Sequence, residues 1–146
     1  MNLEKYPLES DHDHLIFEFE SIGPQGTVRK IIQYSESDIP NFFHLGFGDL
    51  NLATGEVDDL VVTNNGDTLK ILATVASTVY VFTKKYPEAW VYAIGSNDAR
   101  TRLYRIGISK YIKAIQNDFE IYGLRGTTWV PFRKEEDYLA FLITRK

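Results

Sequence analysis

"LKILATVASTVYVFTKKYP", Leu69 to Pro87, admits two secondary structures, and the choice between them sets the fold. From Thr74 to Val81 it is rich in β-branched residues, which favour strands. Leu69, Leu72, Val75, Ala76, Val79, Phe82 and Tyr86 nevertheless recur at helical spacing. Asp67 or Thr68 stands where an N-cap belongs. Lys84 and Lys85 suit the negative end of a helix dipole, and Pro87 stops the helix. The pattern covers about five turns, longer than strands usually run. It predicts a helix over 68–86.

Upstream, residues 1–13 form a polar lead-in. "HLIFEFES" then alternates, with Phe17 and Phe19 on one side and Glu18 and Glu20 on the other, as a half-buried strand does. "IGPQGT" turns the chain and "VRKIIQY" returns it as a hairpin. "FFHLGFGDLNL" reads as a third strand, where Gly46 and Gly48 suggest a bulge or a close backbone approach. "VDDLVVT" is a shorter fourth. Downstream, "AWVYAIGS" is a near-continuous apolar run, as in a buried strand. "GSNDARTRLYRIGI" opens a second helix, over 97–117, capped by Asn97 or Ser96. Tyr104, Ile108, Tyr111 and Ile115 share its core face. "DFEIYGL" and "TTWVPF" form a closing hairpin around Arg125 and Gly126, and "KEEDYLAFLIT" a terminal helix. The order is β-β-β-β-α-β-α-β-β-α. It predicts one α+β domain over 1–146, a mostly antiparallel meander sheet packed by two main helices.

The composition narrows the classes of function. A chain of 146 residues with 44% apolar content can bury a core without metal or disulfide staples. Cysteine is absent, so thiol catalysis and Cys-based zinc sites are excluded. No secretory h-region is visible and no apolar run approaches the ~20 residues of a membrane span, so the expectation is a cytoplasmic protein with no membrane partner. A formal net charge of −4 disfavours nucleic acid.

Four stretches carry candidate chemistry. In "DHDH", His12, Asp13 and His14 are metal-ligand types, but alternate residues of an extended segment need a further ligand such as His44; a solvated strand start is the better account of them, and no metal is assigned. Asp49, Asp58, Asp59 and Asp67 match no calcium loop and read as turn and cap chemistry. "NNGD", with Asn65, Gly66 and Asp67, ends a strand and opens a helix, where free amides hold anions; a capped helix start explains it too. In "SNDARTRLYRIG", Ser96, Asn97 and Arg100 offer donors to a carboxylate or phosphate, and Arg102 and Arg105 extend a basic stripe on what is otherwise an exposed helix face. No nucleophile elbow, Walker loop or dinucleotide fingerprint is present.

Two resemblances follow from these stretches. "FGDLN", "NNGD", "ILATVASTVYVF", "IGSNDARTRLYR" and "DFEIYGL" resemble a family of small uncharacterised bacterial proteins, mostly from Bacteroidota, which implies no activity. From the meander onward, the element order is similar to the later part of the GCN5-related N-acetyltransferase fold, whose second helix carries Asn, Ala, Tyr and Gly as Asn97, Ala99, Tyr104 and Gly107 stand here. That resemblance implies Tyr104 as general acid on a departing thiolate. In place of the fold's pyrophosphate loop stands "NNGDTLKILAT", with Gly66 alone, so tight coenzyme binding is not expected and no cofactor is implied. The leading expectation is a non-catalytic binding protein with a protein partner, one component of a small two-gene system of the toxin–antitoxin kind. The alternative is a divergent acyltransferase using Tyr104; nucleic-acid binding through the arginines ranks third.

Overall fold

The computed structural model describes residues 5–51, 53–58, 66–95 and 97–146. The stretch from Leu69 to Pro87 folds as helix α1, Thr68–Lys85. Ile71, Leu72, Val75, Val79 and Phe82 are buried along it, and so are Thr74, Thr78 and Thr83. Each of these threonines donates its hydroxyl to a backbone carbonyl one turn back, to Lys70, Val75 and Val79, at 2.7 Å. This satisfies the hydroxyl inside the helix, which is how β-branched residues are accommodated there. Tyr86 N–H closes the last turn on the Phe82 carbonyl. Asp67 precedes α1 without capping it; its carboxylate instead accepts from Tyr6 and from Ser21 at 2.6 Å.

The strands are β1 (Glu9–Ser10), β2 (Ile16–Gly23), β3 (Gly26–Glu36), β4 (Phe42–Leu50), β5 (Val57–Asp58), β6 (Trp90–Ala93), β7 (Phe119–Arg125), β8 (Thr128–Pro131) and β9 (Phe141–Arg145). They form one sheet in the order β1-β2-β3-β4-β6-β9-β7-β8, with β5 beside β4. Among the described residues β4 and β6 make its sole parallel pair, from Phe42↔Trp90 to Leu45↔Ala93. Beyond Leu45 the two part, and β5 takes the vacated edge at Asp49↔Asp58 and Leu50↔Val57. The rest of the predicted fourth strand, with Asp59, lies outside the described residues.

Two expectations are corrected. The second helix breaks at Tyr111 (φ −115°, ψ 19°) into α2, Asp98–Lys110, and α3, Ile112–Asp118. The predicted terminal helix is a bend followed by strand β9, inserted between β6 and β7. Tyr138, Phe141 and Leu142 imitate helical spacing, but Ile143 faces Val91 on one side and Ile121 on the other. A slot between two strands, with a ladder on each side, outweighs a short helical pattern.

All three helices pack on one face of the sheet. There Tyr34 stacks on Phe82 at 4.1 Å between ring centroids, and Phe43, Leu45, Val91, Phe119 and Ile143 complete the core. The opposite face carries the alternate set: Phe42 and His44 on β4, Trp90 and Tyr92 on β6, Leu142 on β9, Tyr122 on β7 and Trp129 on β8. Among the described residues no helix covers that face.

Candidate functional site

Helix α2 sorts its residues onto two stripes. Arg100, Tyr104, Gly107 and Ile108 are buried. Asp98, Thr101, Arg102 and Arg105, at spacings of three, one and three, line an open groove on the other side. Asn97 caps the helix as expected, accepting from Arg100 N–H at 2.9 Å. Gly95 lies against this first turn: its N–H donates to Thr101 Oγ1 at 3.0 Å, and a Cβ there would come within 2.3 Å of Thr101 N.

Arg100, expected at the surface, is 3% exposed. Its guanidinium lies 4.7 Å from the centre of the Phe47 ring, on the part of β4 beyond the parting from β6. Phe47 is contacted also by Lys30, itself buried, whose ammonium pairs with Asp49. Phe19 stacks on Phe47, and Tyr6 on Phe19, leading to the hydroxyl that meets Asp67. Residues near 67 and near 100, distant in sequence, thus belong to one polar-and-aromatic cluster at the carboxyl ends of the parallel strands. Open α/β sheets commonly place ligands there. Gly66 adopts the left-handed region (φ +73°) just before α1. Asn64, Asn65 and Ser96 lie outside the described residues. Lys30 belongs to no motif in the sequence, although alternation with Ile32 and Tyr34 sets it on the apolar side of β3.

The groove beside α2 measures about 540 Å³, and Asp137, Tyr138 and Leu139 from the bend before β9 form its far wall. Arg105 meets Asp137 at 3.2 Å. Asp137 is 94% exposed, so water screens the pair and it is worth little. Tyr138 holds the wall in place: its ring covers Gly123, and its hydroxyl accepts from Arg133 N–H at 2.9 Å. The three arginines therefore do not form one stripe. Arg102 and Arg105 share the groove and Arg100 points into the core.

Tyr104 is 6% exposed and lines an apolar cavity of about 70 Å³ between α1, α2 and the sheet, with Leu72, Val79, Ala93 and Ile143. The helices meet closely at its edge, where a Cβ on Gly107 would stand 3.2 Å from Leu72. His14 bonds Ser10 at 2.7 Å and stacks on Phe17, on the helix side, while His44 lies against Tyr92 on the other face. The histidines named as possible co-ligands are thus on opposite sides of the sheet. Among the described residues no helix is long and apolar enough to cross a membrane.

No curated protein and no solved structure matches the chain. A family match spans residues 2–146, nearly the whole sequence, and agrees with the resemblance to an uncharacterised family. The chain belongs to DUF6934, a family of unknown function.

Proposed function

We propose that this is a cytoplasmic, non-catalytic binding protein that meets an anionic group of a partner in the groove beside α2. The observation that carries the reading is the pairing of Arg102 and Arg105 on one stripe of α2, facing a cleft of about 540 Å³. Guanidinium groups bind carboxylate and phosphate through two hydrogen bonds at once. Arg105 is held by a screened, readily exchanged carboxylate, Asp137, which an incoming anion can replace. Leu139, 57% exposed at the rim, adds an apolar contact. A protein partner encoded beside it, as in a two-gene system, suits such a cleft. Calorimetry with inorganic pyrophosphate and with a hexaglutamate peptide tests the groove. Binding of at least one, lost more than tenfold in Arg102→Ala/Arg105→Ala at unchanged melting temperature, supports the proposal. Silence with both probes ends it.

The acyltransferase reading keeps one observation in its favour. The order of meander, α1, β6, α2 and closing strands fits that fold, and Tyr104 stands near an apolar cavity. Against it, Arg100 occupies the ground beside Phe47 where the parallel strands part, and Leu72 closes on Gly107 between the helices. A thioester arm would have to reach Tyr104, which is 6% exposed, through an apolar cavity of about 70 Å³. Acetyl-CoA raising the melting temperature of the protein, together with an acyl transfer that Tyr104→Phe abolishes at unchanged stability, would reverse the ranking.

A further inference from the structure

We propose that the uncovered face of the sheet binds a basic segment of another protein, taking its arginine side chains onto a cluster of aromatic rings, most of them half-buried and Trp129 exposed. This surface lies on the opposite side of the sheet from the groove beside α2, and the inference stands independently of that reading.

The face is built by alternation. Phe42, His44, Trp90, Tyr92, Tyr122 and Trp129 all point away from the helices because their neighbours Phe43, Leu45, Val91, Ile121 and Val130 point toward them. They are contiguous across strands: Phe42 lies 5.7 Å from Tyr92, Tyr92 lies 5.9 Å from Trp129, and Trp90 lies 6.2 Å from Tyr122. The Tyr92–Trp129 pair stands nearly edge-on, at 79°, and His44 meets Tyr92 at 65°. Rings set as the walls of corners leave faces open to a guest and differ from a coplanar platform for stacked bases. Strands in parallel pairing are usually covered on both faces, yet here one face of β4 and β6 holds large aromatic groups in contact with water.

Charge selects the occupant. Among the described residues, the cation–π contacts of this chain fall on Phe47, Tyr6, Tyr86, Tyr80 and Phe119, and none falls on a ring of the uncovered face. The strands there carry Glu120, whose carboxylate accepts from Tyr122, and at the flank Glu18 and Glu20. Arg29 on the same flank is already shared among Glu9, Glu18 and Glu20, at 2.8, 3.2 and 3.5 Å. Lys146 lies past the end of β9. Arg29 thus answers Glu18 and Glu20, and Glu120 is the carboxylate beside the rings; an aromatic surface with a carboxylate at its border attracts cations and disfavours phosphate backbones. Guanidinium is preferred over ammonium because it stacks flat on rings and is more weakly hydrated.

Both tryptophans of the chain, Trp90 and Trp129, lie on this face, so intrinsic fluorescence reports its occupation directly. The probe is a synthetic peptide of Arg-Gly-Gly repeats, titrated into the full chain beside lysine and glutamate counterparts and an oligouridine. The expected result is a saturable fluorescence change with the arginine peptide. It is at least tenfold weaker with the lysine peptide, absent with glutamate and oligouridine, and reduced at least tenfold by Trp129→Ala, read on the remaining Trp90. Trp129 is 37% exposed, so this variant should fold; Glu120→Gln gives a second, milder loss and a shallower salt dependence. No saturable response to the arginine peptide overturns the proposal, as does an equal response to oligouridine. Sedimentation showing a dimer with shielded tryptophans assigns the face to a second copy and overturns it as well.

Discussion

The guanidinium of Arg100 and the ring of Phe47 lie 4.7 Å apart, one from the first turns of α2 and the other from β4, and they join the start of a helix to the middle of the sheet. Arg102, two residues on, faces the groove. Arg100→Ala should therefore destabilise the protein by about 2 kcal/mol or more, the scale of a desolvated cation–π contact with its packing. Arg102→Ala should change stability by less than about 0.5 kcal/mol, as ordinary surface positions do. Urea melts of the two variants check the contrast, and equal effects would contradict the assignment of the two stripes.

Tyr104 behaves as core. Tyr104→Ala should cost about 3–5 kcal/mol, the range for truncating a buried aromatic residue. An unchanged melting temperature would return Tyr104 to the surface and revive a catalytic role.

Gly95 and Gly46 should respond oppositely to alanine. A methyl at 95 would collide with the backbone of Thr101 at 2.3 Å, so Gly95→Ala should cost about 1–3 kcal/mol or more and displace the start of α2. At 46 the nearest atom is the Gln33 carbonyl at 3.8 Å, so Gly46→Ala should be neutral or stabilising by up to about 1 kcal/mol. Thermal unfolding of the two single variants separates them.

Alkaline pH should unfold the protein through its tyrosines. Burial pushes the Tyr34 hydroxyl far above its ordinary value, only partly opposed by its bond to Thr78. Tyr80 is pushed up to about 12 by burial and by donating to Asp118. The folded state holds these protons more tightly than the unfolded chain, whose tyrosines titrate near pH 10. Their contribution is complete below pH 10 and is lost as pH rises through 10 toward 12. Denaturant midpoints should be level from pH 8 to 9.5 and fall above pH 10. Tyr34→Phe should flatten the fall, since the Thr78 hydroxyl still donates to the Val75 carbonyl.

Period and length revealed α1 despite its β-branched centre, because apolar spacing over many turns is a stronger signal than the preference of single residues. The first hairpin was legible for a similar reason: β2 alternates from Phe17 to Ser21, and the turn that follows has Gly26 in the left-handed region (φ +89°). β9 was not legible, since its strand identity depends on β6 and β7 leaving a gap of one strand's width, and no local pattern records that. At the candidate site, the helical face of Tyr104 could be counted from the sequence. The burial of Arg100 could not, because it depends on Phe47, more than fifty residues earlier, arriving beneath it.

The position of β9 has a further consequence. β6 and β7 share no ladder with each other, so the five residues Phe141–Arg145 are the only hydrogen-bonded seam between the meander half of the sheet and the hairpin of β7 and β8 among the described residues. A truncation or frameshift that removed them would cut the sheet in two rather than trim its margin. It would bare two new strand edges flanked by Val91 and Ile121, and bare apolar edges pair with whatever chain they meet.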